Sequence, residues 1–211
     1  MSLSKSLWRE NEDLARAALG GGFVRGLADG TLPIQSFRHY VAEDAFFLES
    51  FARAYALALV HCPDRAGLAD LSALISGVLE ELSLHSGYAA EWGVELSGIS
   101  PAPATLAYTE FLLATASLQS IGETCAAMTP CMRLYAYLGQ ALAESVSPEE
   151  NRYAGWIETY ADPEFEGLAQ KLEELLDRYA ADNPAVRGAY RRAMRLEVAF
   201  FEAAFGVGKG G

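Results

Sequence analysis

A 3.6-residue apolar period runs through nearly every segment of this 211-residue chain, and no alternating strand pattern of useful length interrupts it. That restricts the chain to helices packed on helices. Gly, Pro and polar caps then divide the period into pieces. Helices are expected at about 5–18, closed by Gly20-Gly21-Gly22, and at 23–28. Asp29-Gly30-Thr31-Leu32-Pro33 reads as a turn into a long helix ending near Val60, before Cys62-Pro63. A second long helix covers about 64–92, and a Gly/Ser/Pro loop follows to Pro103. Helices at about 104–117 and 122–144 come next, the latter interrupted at Pro130. Ser147-Pro148-Glu149-Glu150 is a capped start for a helix to Tyr160. Asp162-Pro163 and Asn183-Pro184 start two more, to about Ala181 and Phe205. No internal repeat is evident. The expectation is one all-α domain over 1–211, of seven to nine helices, with its core at about 5–205 and residues 206–211 as a tail.

The composition is 51% hydrophobic with ten Tyr and ten Phe, enough for a full core. No apolar run reaches the roughly 18–20 residues a membrane span needs. A net charge of −12 argues against a nucleic-acid backbone or an anionic membrane as partner. Three cysteines, with no apolar signal region at the N-terminus, predict free thiols and a cytoplasmic protein. There is no GxGxxG, no Walker loop and no CxxC.

Chemistry concentrates around Met128-Thr129-Pro130-Cys131-Met132-Arg133-Leu134-Tyr135. A proline inside a helix removes a backbone donor and bends or restarts it. Cys131 would then lie near unpaired N–H groups, which favour a thiolate. The plainer reading is a small buried apolar residue. Asp44 falls in the middle of a stripe of Phe37, Tyr40, Val41, Phe47, Leu48 and Phe51, so it needs a partner or a ligand. Glu197 sits likewise among Tyr190, Met194, Phe201 and Phe205. Desolvation raises the pKa of such carboxyls, which suits a general acid or base. Thr115, beside Tyr108, Phe111 and Leu112, reads as a hydroxyl bonded back to its own helix. Tyr153, Trp156 and Tyr160 share a face; each alone reads as core, and together they suit a pocket for a flat ring. The pairs His39/Glu43 and Glu81/His85 have i,i+4 spacing, not the Glu-x-x-His of a di-metal bundle. Hydrogen bonding at the helix surface or behind the site is the preferred reading, with no metal.

In order and spacing these residues resemble the TenA family (thiaminase II, aminopyrimidine aminohydrolase). The resemblance is carried by Asp29-Gly30-Thr31-Leu32-Pro33, Phe37-x-x-Tyr40, Asp44-x-Phe46-Phe47, Glu81-x-x-x-His85, Tyr108, Pro130-Cys131-x-x-x-Tyr135, Tyr153-x-x-Trp156-Ile157-x-x-Tyr160, and Glu197 followed by Phe200-Phe201. It covers about residues 5–205. Each segment is weak, and the ordered set is specific. It implies a heme-oxygenase-like helical bundle without heme or other cofactor, usually a homotetramer. It also implies hydrolysis of 4-amino-5-aminomethyl-2-methylpyrimidine, or of thiamine, to the hydroxymethylpyrimidine used in thiamine salvage. By position, Cys131 is the implied nucleophile and Glu197 the acid/base. Asp44 would bind the ring's amino edge, and Phe47, Tyr108, Tyr135 and Tyr160 would frame the pocket. Adding a thiolate to the ring lets electrons expel a poor leaving group from the adjacent methylene.

Many members of that family have Tyr where this chain has Phe47, so a hydroxyl contact to substrate or Glu197 is expected to be missing. Cys125 reads as packing, since it does not share a face with Cys131. Two other readings stay open. One is a di-metal oxidase on the same fold, which needs further ligands on the last helix. The other is a non-catalytic pyrimidine-binding or regulatory protein that keeps the pocket.

Overall fold

The computed structural model describes residues 1–145 and 151–208. Among the described residues there are ten helices and no strand. They are α1 (Leu3–Glu10), α2 (Glu12–Leu19), α3 (Gly22–Ala28), α4 (Ile34–His61), α5 (Arg65–Trp92), α6 (Pro103–Leu118), α7 (Ile121–Ala143), α8 (Ala154–Ala161), α9 (Pro163–Tyr179) and α10 (Pro184–Val207). The all-α expectation holds. The expected start at Ser147 lies outside the described residues.

Local chemistry sets most boundaries. Asp64, Asp162 and Asn183 each cap the following helix through a side-chain oxygen. Ser120 and Glu123 form a reciprocal capping box at α7. Gly93, at φ +65°, closes α5 in the left-handed conformation that glycine adopts without strain.

Two expectations fail. The single helix expected over 5–18 is two, because the Asn11 side chain donates to the Leu7 carbonyl at 2.8 Å while its backbone leaves helical geometry. The expected interruption at Pro130 does not occur, and α7 runs straight through it. Every residue from Thr124 to Met132 is buried. Packing on all sides holds the turn although Pro130 has no N–H to give the Ala126 carbonyl.

α7 is the centre of the bundle, packed against α6, α8, α9 and α10, while α4 packs against α5, α6 and α10. At Gly139 the backbones of α7 and α8 touch: a Cβ there would lie 2.3 Å from the Tyr160 carbonyl carbon. α8 is further pinned from outside the site. Asn151 donates to the Leu27 and Ala28 carbonyls, and the Tyr153 hydroxyl donates to the Leu32 carbonyl. Tyr153 therefore ties α8 to the turn before α4 rather than lining a pocket.

Glu43 has a similar structural duty. Its carboxylate accepts the Ala102 N–H at 2.9 Å and the Thr105 hydroxyl, and so caps α6 from α4. His39 Nε2 stands 4.0 Å from it. Thr115 bonds back to the Phe111 carbonyl as expected. All three cysteines are free thiols, and Cys125 is buried in the core. No described helix is long and apolar enough to cross a membrane.

Candidate active site

The apolar stripe of α4 places Asp44 in the core at 3% exposure, so its charge must be answered there. α5 supplies the answer. His85 Nε2 lies 2.7 Å from Asp44 Oδ2, and its Nδ1 faces the Glu81 backbone carbonyl at 3.3 Å. Burial alone would lower the pKa of His85, but Asp44 and then Glu81 outweigh it and the pKa rises. The Tyr40 hydroxyl donates to Asp44 Oδ2 at 3.2 Å and lies 3.5 Å from the Tyr135 hydroxyl. Trp156 Nε1–H donates to Tyr40 Oη at 3.0 Å.

Glu81 accepts the Tyr160 hydroxyl at 2.8 Å. It is partly exposed, yet its carboxyl turns inward and titrates as a buried group. Burial, then the charge of Asp44, pushes its pKa up to about 7. Glu197 on α10 is 1% exposed and accepts the Tyr108 hydroxyl at 2.7 Å. Burial raises its pKa to about 8, with Asp44 adding to the rise and the hydrogen bonds from Tyr108 and Cys131 opposing it.

Cys131 therefore faces carboxyl groups and no helix end. Burial, followed by Glu197, Glu81 and Asp44, pushes its pKa well above the usual thiol value. The direction is opposite to the expected thiolate: burial and the neighbouring carboxyls favour the thiol, and Glu197 beside it is itself held toward its protonated form. With α7 unbroken, there is no exposed run of N–H groups to favour the anion.

Phe47, Tyr108, Tyr135 and Tyr160 form the walls. Phe47 lies 4.8 Å from Tyr108 and 5.4 Å from Phe51, ring centre to ring centre; Tyr135 lies 4.7 Å from Tyr160. The hydroxyl that Phe47 cannot offer Glu197 comes from Tyr108. All seven residues expected from the sequence fall in one cluster. Trp156 joins them from the pocket face it was expected to share with Tyr160, Glu81 and His85 join as the expected hydrogen-bonding pair behind the site, and Tyr40 joins without having been given a role. The signal for them was present, since an Asp in an aromatic stripe demands a partner and Glu81-x-x-x-His85 was available to supply one.

Beside Tyr40, Glu81, His85, Trp156 and Tyr160 the free cavity is about 10 Å³, near the space of one water. That cavity is too small for a ring, and its lining includes neither Cys131 nor Glu197. Outside it lies a groove of about 360 Å³ that shares Glu81, Leu84 and Thr159 with the inner cavity. Two larger grooves, of about 680 and 690 Å³, do not reach Asp44, Glu81, Cys131 or Glu197. Asp44, Glu81 and His85 also have ligand atoms within 4.8 Å of one another, enough for one metal ion. A two-ion centre needs more ligands, and Glu197 is engaged with Tyr108 and Cys131 instead.

Residues 22–206 match the TENA/THI-4/PQQC family. An aminopyrimidine aminohydrolase of Halalkalibacterium halodurans is 31% identical over 97% of this chain and 96% of its own length. A mitochondrial bifunctional TH2 protein of Arabidopsis thaliana is 34% identical over 96% of this chain, which spans 37% of that longer protein. Among solved structures, a TenA family transcription regulator from Silicibacter sp. TM1040 superposes with a TM-score of 0.90 at 28% identity, covering 97% of both chains.

Proposed function

The chain belongs to the TENA/THI-4/PQQC family, and on that footing we propose that it is an aminopyrimidine aminohydrolase acting on 4-amino-5-aminomethyl-2-methylpyrimidine in thiamine salvage. The observation that carries the reading is one buried group of side chains: Glu197, held by the Tyr108 hydroxyl at 2.7 Å, with the buried Cys131 thiol near enough to feel its charge. Across the aromatic walls the Asp44–His85 pair offers a charged edge for the ring's amino group.

In this reading Cys131 gives its proton to the Glu197 carboxylate and its sulfur bonds to a ring carbon. Protonated Glu197 passes the proton to the leaving nitrogen as the methylene C–N bond breaks. Glu197 then takes a proton from water, whose oxygen bonds to the methylene. The C–S bond breaks, its electron pair returns to sulfur, and the thiol regains its proton from Glu197. The balance is one C–N bond exchanged for one C–O bond, with ammonia released. A carboxyl raised to about 8 is mostly protonated at neutral pH, so the minor carboxylate form takes the Cys131 proton and the protonated form serves the leaving nitrogen. A homotetramer in the cytoplasm belongs to the same reading; light scattering on purified protein tests the assembly, and fractionation of cells tests the compartment.

The test is ammonia release from the aminomethylpyrimidine by wild type and by Cys131→Ser. Loss in the variant supports the nucleophile; full activity removes Cys131 from its role. Pyrimidine binding without turnover by wild type would favour a binding or regulatory protein. Stoichiometric iron or manganese in the purified protein would favour an oxidase built on Asp44, Glu81 and His85.

A further inference from the structure

Among the described residues, two buried side-chain polar atoms have no hydrogen-bond partner, the hydroxyls of Tyr55 and Tyr190. An orphaned buried hydroxyl lowers stability, so each calls for a reason. Tyr190 stands away from the reacting groups, and the charges it feels are those of Glu173 and Arg133. Tyr55 stands at the site. It is wholly buried on α4, further along the helix that carries Asp44 and Phe47. Its ring meets Phe51 edge-on at 4.9 Å. Phe51 stacks on Phe47 at 5.4 Å, and Phe47 meets Tyr108 at 4.8 Å. Tyr108 in turn holds Glu197. A continuous wall of rings therefore joins the Glu197 carboxyl to Tyr55. The groups whose charge Tyr55 feels are Cys131 first, then Cys125, both on α7, and Glu81 on α5. Burial, and then these groups, hold its pKa well above the usual phenol value, so it stays an O–H donor.

The proposed reaction needs a donor there. Cys131 gives up its proton to attack, and its sulfur is anionic until the C–S bond forms. The sulfur takes the electron pair back when that bond breaks. The groups that act most strongly on Cys131 are the carboxyls of Glu197, Glu81 and Asp44, and each opposes that charge. Tyr108 also feels Cys131, but its O–H is given to Glu197. A neutral thiol is a weak acceptor, which fits a hydroxyl left unbonded in the resting site. An anionic sulfur is a strong acceptor. A donor that bonds only as charge develops stabilises the reacting state over the resting one.

We propose that the Tyr55 hydroxyl is the hydrogen-bond donor to the Cys131 sulfur while that sulfur is anionic. The inference rests on the aminopyrimidine hydrolase reading. Tyr55 acts through Cys131 as a positioning residue and does not touch the substrate. It keeps its own proton, so the bonds made and broken in the cycle stay the same.

The experiment sets Tyr55→Phe beside wild type and Tyr190→Phe, which removes the other orphaned hydroxyl. It reads the denaturation midpoint, and kcat and KM for ammonia release from the aminomethylpyrimidine. It also reads the rate at which iodoacetamide alkylates Cys131, by mass spectrometry of its peptide, so that Cys62 and Cys125 are scored apart. Tyr55→Phe is expected to unfold at or above the wild-type midpoint. Its kcat should fall at least about tenfold with KM within about threefold, and Cys131 should alkylate at least about fivefold more slowly. Tyr190→Phe should match wild type in kcat and in alkylation. In Tyr55→Phe, a kcat within about threefold of wild type, an equal alkylation rate or a lowered midpoint overturns the donor. Wild type inactive on the aminomethylpyrimidine overturns the hydrolase reading. The alkylation rates then decide the rest: slower alkylation in Tyr55→Phe upholds the bond from hydroxyl to sulfur, and equal rates overturn both.

Discussion

On one side of α7, Arg133 holds two carboxylates; on the other, Asp44 and Glu81 lie beside one imidazole and Glu197 is held by a tyrosine hydroxyl. Arg133 reaches both oxygens of Glu166 at 2.8 and 3.0 Å and both of Glu173 at 2.8 and 2.9 Å. Gln140 adds a bond to Glu166 at 2.9 Å. Burial would raise the Glu166 pKa, but Arg133 and its amide neighbours outweigh burial and hold it below the usual value. Across the helix, no Lys or Arg pairs with Asp44, Glu81 or Glu197 among the described residues, and the pKa values of Glu81 and Glu197 rise to about 7 and 8. The difference teaches how burial is used. Where the geometry only has to be held, a guanidinium fork satisfies the charges and fixes them. Where protons have to move, the cation is withheld and the carboxyls keep protons to exchange.

The largest test of that contrast is Glu197→Gln, which removes the exchangeable proton and keeps the shape. It should lower kcat for ammonia release by about 10²–10⁴-fold. Arg133→Met should do the reverse, with activity per folded molecule unchanged. It leaves Glu166 and Glu173 partly buried without their partner, and chemical denaturation should show a loss of about 2 kcal/mol, discounted for their partial exposure.

The two sides should also separate by pH. The folded pKa of Glu197 lies above its ordinary 4.5, so the folded chain holds a proton that the unfolded chain has lost. Its contribution is fully present below about 4.5 and is lost as pH rises through about 8. The folded pKa of Glu166 is lowered, so its contribution is present above its ordinary value and is lost as pH falls. Denaturation midpoints measured from pH 4 to 9 should flatten on the alkaline side in Glu197→Gln and on the acid side in Arg133→Met. The smallest effect expected is for Tyr190→Phe. The Tyr190 hydroxyl is buried without a hydrogen-bond partner, so removing it should raise stability by about 1 kcal/mol and leave activity alone.

The helix order of this heme-oxygenase-like bundle was legible because each boundary carries its own chemistry, such as Asp64, Ser120, Asp162 and Asn183. The break at Asn11 was not, because the apolar period runs on across it and a single Asn can either bond within a helix or end one. Pro130 misled in the other direction, since local propensity yields to burial on every side. In the site, the need of Asp44 for a partner was readable from its stripe. The Glu81-x-x-x-His85 pair was a candidate for that partner, but the pairing itself was not legible, because His85 stands on a different helix and only the packing of α4 on α5 joins them. The state of Cys131 was misread for the same reason. Sequence shows the neighbouring proline, while the carboxyls that set its pKa come from α4, α5 and α10.

The touching backbones at Gly139 set a trap for any survey of this protein by mutation. A side chain at 139 would meet the α8 backbone at Tyr160, whose hydroxyl engages Glu81. A screen that scores activity would rank this position with the residues around Cys131, although it holds no functional group at all. The error would show only as tolerance: no replacement at 139 would rescue another, because what the site needs there is the space itself.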